Sequence, residues 1–242
     1  MKTSLILPSA ALLAGGLATR LRPLTDNVPK AMVEVAGEPF IAHQLRLLHR
    51  AGVTRIVLCV GYRAEAIRAF VGDGAGYGLS VAYSADGERQ LGTGGALRKA
   101  LPLLGKHFFV TYADSYLDID YPRVYRAFGD SGRLGLMTVF RNLGQWDTSN
   151  VDFANGTIRR YDKRAPTPDM QYIDYGLGVL TAAALEPWPQ DEPVDLAEIY
   201  QDLLGRGELA GFEVANRFYE VGSPAGLVET DQYLRAARAE KR

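Results

Sequence analysis

The chain is poor in cysteine, histidine and net charge, and each shortage excludes a class of protein. Its 242 residues include one cysteine, Cys59, which cannot form an internal disulfide, and three histidines without zinc-ligand spacing. The formal net charge of -1 gives no reason to expect a nucleic-acid surface or a polybasic membrane anchor. No apolar run approaches the roughly 18 residues of a membrane span, so we expect neither a nucleic-acid nor a membrane partner.

The N-terminal stretch MKTSLILPSAALLAGG has the lysine, apolar run and small residues of a secretory signal. Pro8 interrupts the apolar run, however, and cleavage near Ala14 would remove the segment that leads into a glycine-rich loop. We therefore expect a short tail, a buried first strand and a cytoplasmic protein.

Apolar runs and helical patterns alternate through the first half of the chain. This alternation predicts an α/β fold with a parallel sheet, right-handed crossovers and helices on both faces. The predicted strands are SAALLAGG, TRIVLCVGY, GLSVAYS and KHFFVTYAD, and the predicted helices between them are PFIAHQLRLLHRAG, AEAIRAFVG and TGGALRKALPLL.

The second half has a different pattern, in which strands follow one another. RLGLMTVFR, SNVDFANGTIRRYDKR and YIDYGLGVL predict strands, with a hairpin at Asn155-Gly156. Antiparallel strands of this kind are commonly added to a parallel sheet. Two helices should follow, in PVDLAEIYQDLLGRG and in the tail from Pro224. Because no repeat or long linker separates the halves, residues 1-242 are expected to form one domain.

The stretch AGGLATRLRPLTDNVPKAM follows the first predicted strand, at the sheet edge where open α/β sheets bind ligands. Gly15 and Gly16 let the backbone approach a ligand closely, while Arg20, Arg22 and Lys30 add positive charge. Backbone donors combined with cations favour a polyphosphate, and two prolines stiffen the loop. Neither G-x-x-x-x-G-K-[ST] nor G-x-G-x-x-G occurs, which excludes the two familiar phosphate-binding loops.

The segment LLAGGLATRLRPLTDNVPKAM resembles the N-terminal motif of sugar-1-phosphate nucleotidylyltransferases, L-A-G-G-x-G-T-R-L-x-P-L-T-x-x-x-P-K-x-M. One departure is Ala18, where the family usually has glycine. Further segments resemble family motifs in the same order: LGTGGAL, TYADSYL, RRYDKR, YIDYGLGVL and FYEVGSPAGLVET. The whole pattern is most similar to heptose-1-phosphate guanylyltransferases. The resemblance implies a Rossmann-like, glycosyltransferase-A-like fold with a mostly parallel mixed sheet.

Enzymes of this family join a sugar 1-phosphate to the α-phosphorus of a nucleoside triphosphate and release pyrophosphate. The resemblance implies that Arg20 contacts the β- and γ-phosphates and that Lys30 lies between the α-phosphate and the sugar phosphate. Asp114 is expected to bind Mg²⁺, with Glu220 as second ligand where the family has aspartate. Lys163 matches the lysine that contacts the sugar phosphate. Arg20, Lys30, Asp114 and Lys163 are therefore the expected catalytic residues.

The resemblance also divides the chain into a nucleotide-binding half, 1-117, and a sugar-binding half, 118-242. In the first half, Glu88 is expected to accept hydrogen bonds from a guanine edge, which offers two donors where uracil offers one. The expected nucleotide contacts are Ala14, Gly15, Gly16, Thr19, Glu88, Gly92 and Thr93, and the expected sugar contacts are Asp162, Asp174 and Gly176.

Several alternatives remain open from the sequence. GTP is the expected donor and a heptose or hexose 1-phosphate the expected acceptor, but a uridylyltransferase or another nucleotidyltransferase of the family is the alternative. Ala18, Ala113 and Glu220 depart from the family pattern and keep open an inactive nucleotide-sugar-binding regulatory protein. A cholinephosphate-type cytidylyltransferase is not excluded by the loop. The protein is expected to be a monomer or a homodimer.

Each of three acidic residues has an alternative role. Asp114 is alternatively a helix N-cap, Glu220 is alternatively part of a structural salt bridge, and Asp174 is alternatively a surface residue of a strand. The segment RRYDKR is alternatively a charged hairpin end, and Arg22 a solvated cation.

Overall fold

The computed structural model describes residues 5-16, 21-26, 28-87 and 89-239. In the first half, strands and helices alternate as the sequence predicts. The elements there are β1 (Ser9–Ala14), β2 (Glu34–Val35), β3 (Glu38–Pro39), α1 (Phe40–Arg50), β4 (Arg55–Val60), α2 (Ala64–Val71), β5 (Ser80–Ala85), α3 (Gly92–Leu104), β6 (His107–Tyr112) and β7 (Ser115–Tyr116).

The second half contributes the antiparallel strands and three of the longer helices. Its elements are α4 (Tyr121–Ser131), β8 (Gly135–Arg141), β9 (Val151–Ala154), β10 (Thr157–Tyr161), β11 (Tyr172–Thr181), α5 (Ala182–Leu185), α6 (Leu196–Gly205), β12 (Leu209–Val214), β13 (Tyr219–Glu220) and α7 (Pro224–Ala239). The sequence interpretation did not identify α4, β12 or the short elements β2, β3, β7, β13 and α5.

A nine-stranded mixed sheet runs through the described part of the chain in the order β10-β9-β11-β6-β1-β4-β5, with β8 on β11 and β12 on β8. Strand β1 lies between β4 and β6, and all three are parallel, as is β5 on β4. Strand β11 is antiparallel to both β6 and β8. This arrangement confirms the expected α/β fold with a mostly parallel mixed sheet and flanking helices.

Helices cover both faces of the sheet, which explains why β1 is buried along its whole length. Its side chains alternate between two apolar clusters: Leu12 packs with α1 and α2 on one face, and Leu13 packs with α3 and α6 on the other. Its sequence, SAALLA, is small or apolar at every position, as such a strand requires. The expected buried first strand is therefore confirmed.

The predicted hairpin at Asn155-Gly156 is also confirmed, because β9 and β10 pair in antiparallel fashion on either side of it. Asn155 has φ 53° and Gly156 has φ 76°, the left-handed conformations that a two-residue turn of this type requires.

Within the described ranges, no helix combines the length and apolar character needed to cross a lipid bilayer.

Helix α6 packs closely on the sheet at Gly178, which leads to a stability prediction. A Cβ at Gly178 would overlap the buried hydroxyl of Tyr200, so Gly178→Ala should lower the free energy of unfolding by about 1–3 kcal/mol. The matched change Gly129→Ala lies in α4 with no atom near the new methyl, and should raise it by about 0.5–1 kcal/mol. Urea unfolding of both variants tests the pair. A Gly178→Ala protein as stable as the wild type would show that α6 can shift without cost.

Candidate active site

A cavity of about 440 Å³ lies at the carboxyl ends of the parallel strands. Gly15 and Gly16, which follow β1, form part of its wall, and a Cβ on Gly16 would meet no atom of the described residues within 4 Å. Gln90 steadies this segment, since its Nε2 donates to the Gly15 carbonyl at 3.2 Å. At Gly16 the backbone therefore faces open space as far as the described residues extend, in keeping with the close ligand approach expected from the sequence.

The start of α3 forms the facing wall through Gly92 and Thr93. Gly92 has φ +69°, and a Cβ there would lie 2.6 Å from the Val194 carbonyl oxygen, so only glycine fits. The Thr93 hydroxyl donates to Asp195 at 3.2 Å and accepts from the backbone N–H of Leu196 at 2.8 Å. The helix start is thus fixed against the beginning of α6.

The structure brings most of the predicted nucleotide contacts to this one cavity, namely Ala14, Gly15, Gly16, Gly92 and Thr93. Thr19, Arg20 and Glu88 lie outside the described residues. Arg22 is half-exposed and forms an ion pair with Asp26 at 3.3 Å.

Asp86 is a cavity residue that the sequence interpretation missed. Burial raises the pKa of its carboxyl group, and the Leu91 N–H and the Lys99 charge oppose this effect. Its Oδ2 would lie 3.4 Å from a Cβ on Gly15, which places the carboxylate beside the glycine loop. The available signal was its position directly after β5, at the same sheet edge as Asp114 after β6.

A second cavity, of about 390 Å³, adjoins the first, and Lys30, Tyr112 and Asp114 line both. Lys30 Nζ donates to Asp114 Oδ2 at 2.6 Å, with the two side chains 17% and 30% exposed. Lys30 comes from a short 3-10 turn that ends the glycine-rich segment, and Asp114 follows β6. The contact thus lies at the boundary between the two cavities.

Glu220 reaches this boundary because β13 pairs with β7, which sets Glu220 opposite Ser115. The Val221 N–H donates to the Asp114 carbonyl at 2.8 Å, and the Ser115 hydroxyl donates to Asp114 Oδ1 at 3.0 Å. A Cβ on Gly222 would lie 2.6 Å from Glu220 Oε2 and 2.8 Å from Lys30 Nζ, so both groups converge there. Residues distant in sequence therefore form one charged cluster.

Two carboxylates in this cluster suit a magnesium ion. The described residues contain no group of three or more histidine, cysteine, aspartate or glutamate side chains that would hold a metal alone. Magnesium commonly binds one or two carboxylates and completes its shell with substrate phosphates and water. Asp114 and Glu220 both line the second cavity and offer that oxygen donor set. The residues present therefore fit the ion expected from the sequence.

Lys163 lies in the second cavity with its Nζ 3.4 Å from Asp174 Oδ2. The Asp174 side chain is 6% exposed, accepts from the Tyr161 hydroxyl at 3.1 Å and accepts from the Gly176 N–H at 3.1 Å. The ammonium also lies over the rings of Tyr112 and Tyr161, at 5.8 and 5.7 Å from their centroids. Asp174 is thus engaged in holding Lys163 as well as lining the cavity.

Asp162 has a different position from its neighbour Lys163. It accepts from the N–H groups of Arg164 and Ala165, both at 2.9 Å, and these bonds lower the pKa of its carboxyl group. Asp162 lines neither cavity, whereas Asp174 and Gly176 both line the second. Its expected contact with a sugar stays a prediction.

Taken together, a glycine loop and a helix start at the edge of a parallel sheet define a nucleotide-binding α/β protein with a second, adjoining ligand cavity. The profile of the family described as "Nucleotidyl transferase" matches residues 9–148. The chain belongs to this family.

Two curated relatives extend the comparison. The chain is 30% identical over 244 residues to the mannose-1-phosphate guanyltransferase of Schizosaccharomyces pombe, covering 96% of this chain and 66% of the relative. It is 41% identical over 118 residues to the N-acetylmuramate alpha-1-phosphate uridylyltransferase of Neisseria meningitidis serogroup B, covering 48% of this chain and 51% of the relative. The chain thus spans between half and two thirds of the length of these relatives.

Solved structures show the same fold at lower identity. HddC from Yersinia pseudotuberculosis complexed with GMP-PN superposes with a TM-score of 0.78 at 23% identity. The match covers 94% of this chain and 100% of the HddC chain. The UDP-glucose pyrophosphorylase from Acinetobacter baumannii superposes with a TM-score of 0.73 at 17% identity, covering 98% and 100%.

The two glycine positions in the first cavity should respond differently to a methyl group. Gly16→Ala adds a methyl in open cavity space, so nucleoside triphosphate affinity should fall about tenfold while the melting temperature is unchanged. Gly92→Ala strains the start of α3, so affinity and stability should both fall, stability by about 1–2 kcal/mol. Calorimetric titration and thermal unfolding measure the two quantities. Unchanged affinity in Gly16→Ala would mean that the phosphates bind elsewhere.

Proposed function

We propose that the protein transfers a nucleotidyl group from GTP to a hexose or heptose 1-phosphate in a Mg²⁺-dependent reaction that releases pyrophosphate. The observation that carries the proposal is the pair of cavities that meet at Lys30 and Asp114. A donor in the first cavity and an acceptor in the second would bring their reacting phosphates to this boundary.

The reaction requires orientation and charge neutralisation more than proton transfer. A phosphate oxygen of the sugar 1-phosphate attacks the α-phosphorus, and the bond from that phosphorus to the bridging oxygen breaks. The electron pair of the broken bond leaves with pyrophosphate. A sugar phosphate is already largely ionised at neutral pH, so no side chain has to act as a base. Lys30 lines both cavities and would reduce the repulsion between the two anions.

Asp114 and Glu220 would hold Mg²⁺, which supplies the positive charge that draws the phosphate oxygens together. The antiparallel pairing of β7 with β13 fixes the backbone of both residues. The Glu220 carboxylate is further oriented by the Ser223 hydroxyl, which donates to it at 2.6 Å, and by the Gly222 N–H.

Guanine is the base that several features favour. Asp86 is the described carboxylate at the glycine-loop end of the first cavity, and a carboxylate can accept from the two N–H donors of a guanine edge. The curated relative that matches along 96% of this chain is named a mannose-1-phosphate guanyltransferase. A uridylyltransferase is the second candidate, since the Neisseria relative with that name is 41% identical over 118 residues.

The second cavity supports a sugar phosphate as acceptor. Its 390 Å³ suits a ligand of that size, and Lys163 supplies a cation besides Lys30. The proposal keeps the division into a nucleotide-binding half, 1-117, and a sugar-binding half, 118-242, with Lys30 and Asp114 of the first half also lining this cavity. One domain, a cytoplasmic location and a monomer or homodimer complete the proposal.

Pyrophosphate release tests the proposal and the role of Asp114. Each of four nucleoside triphosphates is combined with each of several sugar 1-phosphates. Pyrophosphate should be released only when GTP is combined with one sugar 1-phosphate, and only with Mg²⁺. Asp114→Asn should lower kcat about 10²–10³-fold, because a metal ligand and the partner of Lys30 are lost. The control Asp130→Asn removes the same charge from the exposed face of α4 and should have no effect.

Near-normal turnover by Asp114→Asn would contradict the metal assignment. Nucleotide binding without release across the whole panel would instead favour an inactive nucleotide-sugar-binding protein. The absence of both pyrophosphate release and nucleotide binding would overturn the assignment of the first cavity to the nucleotide.

Asp174→Asn tests whether Lys163 depends on its buried partner. The carboxamide keeps an acceptor for the Gly176 N–H but removes the negative charge 3.4 Å from Lys163, so kcat should fall about tenfold with the KM for GTP unchanged. Asp162→Asn is the matched control, because it removes an adjacent charge outside both cavities. Steady-state kinetics with each substrate varied distinguishes them. A larger loss in Asp162→Asn would support its expected sugar contact over this role of Asp174.

A further inference from the structure

The second cavity has two chemically different ends. Its inner end is the boundary with the first cavity, at Lys30 and Asp114. At its outer end, Trp146 and Asp147 also line an open groove of about 840 Å³. With the acceptor phosphate at the inner end, as the proposed function requires, the opposite end of the sugar ring faces Trp146 and Asp147.

The cations that line this cavity are already paired with carboxylates. Among the described residues of its wall they are Lys30 and Lys163, which lie 2.6 Å from Asp114 and 3.4 Å from Asp174 respectively. Asp147 has no such partner among the described residues, and its Oδ1 accepts from the Thr148 N–H at 2.6 Å. Among the described residues that line the outer end, Asp147 is therefore a carboxylate without a cation partner.

The loop that carries Asp147 is held in place through its neighbour. The guanidinium of Arg217 lies 3.4 Å from the Trp146 ring centroid, and Trp146 packs under it. Arg217 does not line the cavity, and its charge is paired with that of Glu229 on α7. The Asn142 side chain donates to the Asp147 carbonyl at 2.6 Å and fixes the loop from within.

We propose that Asp147 is a specificity-determining residue that restricts the acceptor to sugars that are uncharged apart from the 1-phosphate. Sugar hydroxyls can donate to its carboxylate, and the Trp146 ring offers an apolar surface for the C–H face of a sugar. A carboxylate on the far side of the ring, near C6, would meet this like charge, and the described residues of the cavity wall offer it no unpaired cation. The inference rests on the proposed function, because it assumes the direction in which the acceptor lies.

A matched pair of acceptors isolates this charge. D-mannose 1-phosphate and D-mannuronic acid 1-phosphate differ only at C6, where a hydroxymethyl group is replaced by a carboxylate. The wild type should show a kcat/KM about five- to tenfold higher for the neutral acceptor, which is the effect expected of one exposed like charge. Asp147→Asn should raise kcat/KM for the anionic acceptor about five- to tenfold and change that for the neutral one less than threefold.

Two controls test the cause of the change. Asparagine at this position keeps an oxygen for the Thr148 N–H, and Asp147→Glu, which keeps the charge, should retain the wild-type preference. Asp130→Asn removes the same charge at a distance and should also retain it. Because Asp147 is exposed, added salt screens its charge. Salt should therefore lower the ratio of kcat/KM for the neutral acceptor to that for the anionic acceptor in the wild type, and leave this ratio nearly constant in Asp147→Asn.

The outcomes separate this inference from the proposed function. Equal turnover of both acceptors by the wild type, or an unchanged preference in Asp147→Asn, would overturn the inference while the reaction itself stands. No turnover of any acceptor with any nucleoside triphosphate would overturn the proposed function and the inference with it.

Discussion

A lysine ammonium and a carboxylate 2.6 Å apart, in Lys30 and Asp114, hold together the centre of the candidate site. The two groups come from different parts of the fold, one from the turn that ends the glycine loop and one from the end of β6. A partly buried ion pair stabilises a fold little, since desolvation offsets most of the attraction. Its value lies in position, because it fixes where two ligand cavities share a wall. Glu220 on β13, the glycine loop and Lys163 all line the cavities that meet there.

The sheet explains how so many charged groups come to one place without disrupting the core. Strands β1 and β6 are parallel neighbours and end at the same edge, so the residues after them meet there while their apolar side chains stay in the two core layers. The antiparallel strand β11 crosses the same edge in the opposite direction and brings Asp174 to the second cavity. The mixed sheet is therefore what brings the walls of the two cavities together.

The sequence was sufficient to predict the longer strands and helices of the first half, the hairpin at Asn155-Gly156 and the glycine-loop residues of the first cavity, because these depend on local patterns. It did not reveal Asp86, which required knowing that the turn after β5 folds back beside Gly15. Nor did it reveal the Tyr161 and Lys163 contacts of Asp174, since these depend on the pairing of distant strands. Helix α4 and strand β12 were missed because their apolar residues are few or interrupted by glycine.

Glu220 depends on the last helix of the chain as well as on β7. The Thr230 hydroxyl of α7 donates to the Glu220 carbonyl at 2.8 Å, and Gly226 leaves the space that the Glu220 carboxylate fills. During synthesis on the ribosome, the glycine loop and the parallel strands emerge long before this helix. The first cavity is complete only when the segment before α6, which supplies Pro193, has emerged, and the pair of carboxylates only when α7 has emerged and docked.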